Sequence, residues 1–263
     1  MPALEYTNEG GFAQITIDNP PQNRLGNEVM AAFGAAIQDM MGRDDTRVLL
    51  VKANGPDFGF GGDVTNWDGV SEEAFSAMMA QGLPLVNAFE DLPFPIVFAI
   101  QGHCMGGAFE LALRGDIIIA ADDAKFGHPE ATVGVFTFLG GVQRVAERVG
   151  RTRAMQWALT AELVGAEDAL TYGLINEVVP ASELGAAAEK WVQKLGNGPT
   201  KAHATHKKLM RAWSTGGIEK ADAMMPEMAG KMLHTEDAQG SLVGAINAVK
   251  SGQPRPAYPF KGK

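Results

Sequence analysis

The alternation of apolar and polar positions divides the chain into two regimes. Leu4–Thr7 and Phe12–Ile17 are short alternating or β-branched runs around Glu9-Gly10-Gly11, which predicts a hairpin. Asn19-Pro20-Pro21 then breaks the chain. Asn27–Met41 carries Val29, Met30, Phe33, Ile37, Met40 and Met41 at helical spacing. Val48–Ala53 (VLLVKA) and Ile96–Ile100 (IVFAI) are apolar runs almost without alternation, as expected of strands buried on both faces. Asn54-Gly55-Pro56 ends the first, and Pro93 and Pro95 precede the second. A helix is predicted between them over Glu72–Glu90, and Asp116–Ala121 again reads as strand. Strands alternating with helices predict an α/β fold whose helices cover a largely buried sheet. From Thr200 to Lys250 the patterning is helical, with no convincing strand. The expected division is a core at 1–198 and a helical lobe at 199–263, the latter rich in Met residues suited to packing or a subunit interface.

Composition narrows the class. Of the 263 residues, 46% are hydrophobic and 20% charged, enough to bury a substantial core. The formal charge of −9 gives no electrostatic reason to expect a nucleic-acid groove. The single cysteine, Cys104, excludes an internal disulfide framework and fits a reducing compartment. The N-terminus has no signal-peptide apolar region, and no apolar run is long enough to span a bilayer. A soluble, cytoplasmic protein without membrane attachment is expected.

The segment QGHCMGGAFELALRGDIIIAADDAKFGHPE, Gln101–Glu130, holds most of the candidate chemistry. Gly106-Gly107 opens a predicted helix and Glu110 lies about one turn inside it. Glu130 follows the Asp116–Ala121 strand, carried by His128-Pro129. Carboxylates among Ala, Leu, Phe and Ile need a partner or a task. Glu110 could be satisfied by Arg114 at i+4, and Glu130 could cap the following turn. Together they could instead serve as an acid–base pair.

Two glycine-rich turns each follow a buried strand: Phe58–Asp63 (FGFGGD) and Gly102–Gly107 (GHCMGG). Each is either an ordinary strand-to-helix turn or one half of a site aiming two backbone N–H groups at a single oxygen. Neither spells the dinucleotide-binding pattern G-x-G-x-x-G. No H-E-x-x-H or Cys/His cluster suggests a metal. Cys104 reads as small buried filler, and the basic run Lys201–Arg211 with His203 and His206 as a solvated helix face.

With these motifs assembled, the chain resembles the enoyl-CoA hydratase/isomerase, or crotonase, superfamily over nearly its whole length. The resemblance runs through NPPQNRL (Asn19–Leu25), FGFGGD, GHCMGGAFELAL, FGHPEATVGVFTFLGGVQRV and ALTYGLINEVVP (Ala169–Pro180). It implies a crotonase-like spiral of ββα units followed by a C-terminal helical trimerisation region, with homotrimers or hexamers built as dimers of trimers. It implies an acyl-CoA substrate, an oxyanion hole formed by the N–H groups of Gly62 and Gly107, and catalytic roles for Glu110 and Glu130. By the same resemblance Arg24, Phe60, Gly62, Asp63, Val64, Thr65, Gly107 and Phe138 contact the substrate. Coenzyme A is then part of the substrate, and no cofactor or metal is expected.

Retention of both glutamates favours hydration of a 2,3-enoyl-CoA, with Glu110 activating water and Glu130 supplying a proton. Isomerisation, thioester hydrolysis and decarboxylation are alternatives using the same oxyanion hole. A further alternative is a non-catalytic or RNA-binding homologue using Lys201–Arg211. Two departures reshape the expected acyl pocket: Phe60 precedes the first glycine pair, and Thr137-Phe138 stand where family hydratases carry Pro and Gly. The tail RPAYPFKGK either reaches a neighbouring subunit or hangs loose.

Overall fold

A computed structural model describes residues 2–263; Met1, the first residue of the expected core, lies outside them. The main sheet has the order β1-β2-β3-β4-β6-β9. It is built from β1 (Leu4–Glu9), β2 (Phe12–Ile17), β3 (Val48–Ala53), β4 (Ile96–Ile100), β6 (Ile117–Ala121) and β9 (Glu177–Val179). β1 and β2 form the predicted antiparallel hairpin, and every other pairing in this sheet is parallel. A smaller sheet, β5-β7-β8, joins His103–Met105, Lys125–Gly127 and Val164–Gly165.

The apolar runs of β3, β4 and β6 are continuous because both faces of the sheet are covered. Leu49, Val51, Ile96, Phe98, Ile100 and Ile118 face a core shared with α1 (Asn27–Met41), α2 (Glu72–Glu90) and α3 (Gly106–Ala112). Val48, Leu50, Val97, Ala99 and Ile119 face α7 (Leu184–Gly196) through Leu184, Ala188 and Val192. In α1, Val29, Phe33, Ala36, Ile37 and Met40 form the buried stripe, while Met41 is exposed.

β6 starts at Ile117, one residue later than expected. The Asp116 carboxylate instead accepts the Ile96 N–H at 2.8 Å and pairs with Lys207. Helix α2 is capped by Ser71, whose Oγ accepts from Ala74 N, and has acidic residues in its first turn. Its only buried residues are Val86 and Phe89, near its C-terminal end, so its N-terminal half stands out from the core.

After α7 come α8 (Thr200–Leu233), broken at Gly216-Gly217, and α9 (Glu236–Ser251). The basic run on α8 is not simply a solvated face. Lys207 bonds the Phe94 carbonyl and the Asp116 carboxylate, and Arg211 lies against Glu90 and Asp91. Nor is the C-terminal tail loose. The Lys261, Gly262 and Lys263 N–H groups all donate to the buried Asp237 carboxylate at the start of α9. Among the described residues no helix is long and apolar enough to cross a membrane.

Candidate active site

The two glycine turns meet. β5 lies within the second glycine segment and bonds the first: Gly59 N donates to the His103 carbonyl and Met105 N to the Gly59 carbonyl, each at 2.9 Å. A β-carbon on Gly61 would stand 2.8 Å from Gly107 N, and Gly61 has φ +84°, so only glycine fits there. A β-carbon on Gly107 would stand 3.4 Å from Gly62 N. The two expected donors are therefore neighbours.

Their directions have local causes. The Gly61 carbonyl accepts from Leu25 N at 2.8 Å, and a planar trans peptide then points the Gly62 N–H the opposite way. Gly107 N–H lies in the first turn of α3, where helix donors have no carbonyl one turn back. Arg24 braces the same turn, with Nε on Gln22 Oε1 and Nη1 on the Gly62 carbonyl at 3.3 Å.

Glu110 is 2% exposed. The alternative pairing with Arg114 does not form: Arg114 Nη1 donates to the Glu110 backbone carbonyl, and its other bonds go to Val86, Asn87 and Leu139. The Glu110 carboxylate turns the other way. Its Oε1 accepts the N–H groups of Leu139 and Gly141, each at 2.8 Å. Gly141 opens α4 (Gly141–Val149) and passes so close that a β-carbon would lie 2.8 Å from Glu110 Cγ and 2.4 Å from His128 Cε1.

Burial, and next the charge of Glu130, push the Glu110 carboxyl up to about 7, against the two N–H bonds and Arg114. Glu130 sits in the 3-10 turn Pro129–Val133, and its Oε1 lies 3.4 Å from the β-carbon position of Gly106. Burial raises its pKa as well.

The remaining expected contacts divide. Asp63 Oδ1 caps the short turn Val64–Asn66 by accepting from Thr65 N and Oγ1, leaving Val64 and Thr65 exposed beside Gly62. The Phe60 ring stacks on His103, which is itself held by Asp57. Phe138 packs against Trp67 and Phe75. Cys104 is fully buried and burial raises its thiol pKa well above the usual value, so filler is the right reading.

Three residues of the site escaped the sequence reading. Trp67 places Cζ2 3.1 Å from the β-carbon position of Gly62. Phe75 joins it from α2. His128 is 1% exposed, lies 3.7 Å from Glu130 and stacks on Phe109. Trp67 and Phe75 follow the first glycine turn within twelve residues, and that proximity was the available signal for them. A lone His between Gly127 and Pro129 gave none.

A cavity of about 990 Å³ lies elsewhere, between the α2–α4 region and α8. Among its lining residues Glu90 and Asp116 are paired with Arg144, Arg211 and Lys207, so these two carboxylates belong to an ion-pair network. Among the described residues no group of three or more His, Cys, Asp or Glu is placed to hold a metal ion.

The chain is similar in sequence and fold to known proteins. Carnitinyl-CoA dehydratase from Salmonella typhi is 32% identical over 245 residues, covering 90% of this chain and 92% of the relative. The crystal structure of an enoyl-CoA hydratase from Mycobacterium smegmatis superposes with a TM-score of 0.87 at 25% identity, over 97% of this chain and 99% of the other. Pseudomonas aeruginosa DspI gives a TM-score of 0.85 at 28% identity, over 97% and 96%. The family described as enoyl-CoA hydratase/isomerase matches residues 7–249, spanning both glycine turns and both glutamates, and the chain belongs to it.

Proposed function

We propose that this protein reversibly adds water across the 2,3 double bond of an enoyl-CoA thioester. The observation that carries the reading is a buried Glu110 and a half-buried Glu130, both with raised pKa, beside the adjacent N–H groups of two glycine turns. In this reading the thioester oxygen accepts from Gly62 and Gly107. Each such donor lowers the barrier by roughly 3–4 kcal/mol where a preorganised oxyanion hole operates.

Ionised Glu110 takes a proton from water as its oxygen bonds C3, and protonated Glu130 delivers a proton to C2. The negative charge passes through the thioester oxygen, and the double bond is consumed. Transfer of the proton from Glu110 back to Glu130, directly or through solvent, restores the starting state. Close acids with raised pKa values support such divided protonation states. Arg24 holds the Gly62 turn and faces the CoA moiety, which enters as part of the substrate; the reaction takes no cofactor.

Elimination of water from a 3-hydroxyacyl-CoA is the same chemistry in reverse, and the 32% identity to carnitinyl-CoA dehydratase favours testing that direction too. Loss of the enoyl-thioester absorbance on incubation with crotonyl-CoA is the expected result. Turnover of no enoyl-CoA and no 3-hydroxyacyl-CoA, carnitinyl-CoA included, would remove the reading in favour of isomerisation, thioester hydrolysis or decarboxylation.

A further inference from the structure

The glutamate mechanism makes no use of a group of aromatic rings attached to both sides of the site. Trp67, Phe75 and Phe138 are in mutual contact, with centroids 5.4 Å apart for Trp67–Phe75, 5.8 Å for Trp67–Phe138 and 5.1 Å for Phe75–Phe138. Phe136 adds an edge contact to Phe138 at 4.8 Å. At one end, Trp67 Cζ2 comes within 3.1 Å of the β-carbon position of Gly62. At the other, the residue after Phe138 is Leu139, whose N–H is bound by the Glu110 carboxylate. The rings therefore run from the Gly62 donor to the loop held by Glu110.

We propose that Trp67, Phe75 and Phe138 form a wall that closes the distal end of the acyl site and restricts it to short, uncharged acyl groups of about crotonyl size. This rests on the acyl-CoA reading of the Gly62–Gly107 turns. With the thioester oxygen at those N–H groups and C2 and C3 between the glutamates, carbons beyond C3 meet the wall. A methylene chain passing between two rings needs contact distances of about 4 Å on each side, or about 8 Å between rings. The observed separations of 5.1–5.8 Å are those of rings packed on one another, and no chain passes between them.

The same spacing bears on a trimethylammonium group. An aromatic cage holds such a cation between ring faces, each within about 6 Å of it, so the rings must stand apart. Here they fill that space themselves. The wall therefore discriminates against both long chains and a bulky cationic substituent.

Titration calorimetry with butyryl-CoA and decanoyl-CoA tests the wall without requiring catalysis. The wild-type protein is expected to bind butyryl-CoA at least ~10-fold more tightly. Phe75→Ala and Phe138→Ala, each checked for a cooperative thermal transition, should each shift that ratio ~10-fold or more towards decanoyl-CoA. In parallel, crotonyl-CoA should be hydrated with a higher kcat/KM than trans-2-decenoyl-CoA, cinnamoyl-CoA or crotonobetainyl-CoA.

Wild-type binding of decanoyl-CoA as tight as that of butyryl-CoA overturns the proposal, even if neither variant folds. So does a ratio unchanged in both folded variants, or preferred turnover of any of the three larger esters. Binding of neither saturated ester overturns the acyl-CoA reading and the wall with it. Selective butyryl-CoA binding without turnover of any enoyl-CoA removes hydration alone and leaves the wall standing.

Discussion

His128 Nδ1 stands 3.7 Å from Glu130 Oε2, and both atoms are buried without a hydrogen-bond partner among the described residues. That distance is too long for a hydrogen bond. Yet the Phe109 ring and the Gly141 backbone pack against the imidazole, fixing its place beside the carboxyl. Burial holds the imidazole neutral by lowering its pKa to about 4. A closing movement of under about 1 Å would let this ring share a proton with Glu130, and under the proposed mechanism His128 would then position that acid.

His128→Leu is therefore expected to lower kcat by roughly 10-fold, with little change in KM, and to shift the pH profile of kcat. His128→Gln should recover part of the loss, because an amide can also bond the carboxyl. Steady-state kinetics across pH on folded variants checks this. An unchanged pH profile would leave His128 a packing residue.

The same histidine contributes an acid sensitivity. Its pKa falls from an ordinary 6.5 to about 4 on folding, so between these values the unfolded chain binds a proton that the folded chain refuses. Stability should fall as pH drops through this window. His128→Leu should flatten that part of the melting-temperature profile between pH 6.5 and 4.

Glu110 acts in the opposite pH range. Its carboxyl ionises near 4.5 unfolded and at about 7 folded. Below pH 4.5 it is protonated in both states and contributes nothing. Above that value the unfolded chain ionises first and stability drops, reaching its full loss above pH 7. The difference corresponds to roughly 3 kcal/mol as an upper bound. Glu110→Gln keeps an oxygen for Leu139 and Gly141 N–H but carries no charge, so it should melt higher than wild type at pH 8 and equally at pH 4. It should also lose about 10²–10⁴ in kcat. In the wild type, kcat/KM should fall on the acid side by about tenfold per pH unit as Glu110 is protonated, with a midpoint below 7 because the protonated Glu130 of the mechanism no longer adds its charge to the forces raising Glu110.

The sequence made some of this architecture readable and hid the rest for physical reasons. β2, β3, β4, α1 and α2 have the bounds their patterns predict; in β3, β4 and α1 the buried run or 3.6-residue stripe extends over five positions. β5, β7 and β9 have three residues each, too few for any period to register. In the site, Gly62, Gly107, Glu110 and Glu130 stood out as glycine pairs and stray acids. The pairing of Glu110 with Arg114 was plausible from i+4 spacing, but Arg114 bonds the Glu110 carbonyl and three other residues instead. That choice depends on Val86, Asn87 and Leu139, which spacing within one helix cannot reveal.

Gly61 offers a test of the backbone half of the site. Any β-carbon there meets Gly107 N at 2.8 Å and the Met105 carbonyl at 2.9 Å, and φ is +84°. Gly61→Ala must therefore push the two turns apart. The expected loss in kcat is about 10²–10³, comparable with removing one oxyanion donor. A folded Gly61→Ala protein with wild-type kcat would show that the contact between the turns is irrelevant to the chemistry.

The final expectation concerns assembly. On α9, Leu242, Val243, Ile246 and Val249 recur at helical spacing and are all exposed in the isolated chain, Val249 at 86%. α8 adds exposed Ile218, Met225 and Leu233. A contiguous apolar surface of this kind is normally covered, and the expected trimer or dimer of trimers supplies a cover from other copies of the chain. Light scattering during size exclusion should then give three or six times the 27.9 kDa chain mass. Val243→Asp together with Val249→Asp should shift the protein to smaller species, since burying a carboxylate at an apolar contact costs several kcal/mol. A wild-type mass of a single chain would show that this stripe is left to solvent.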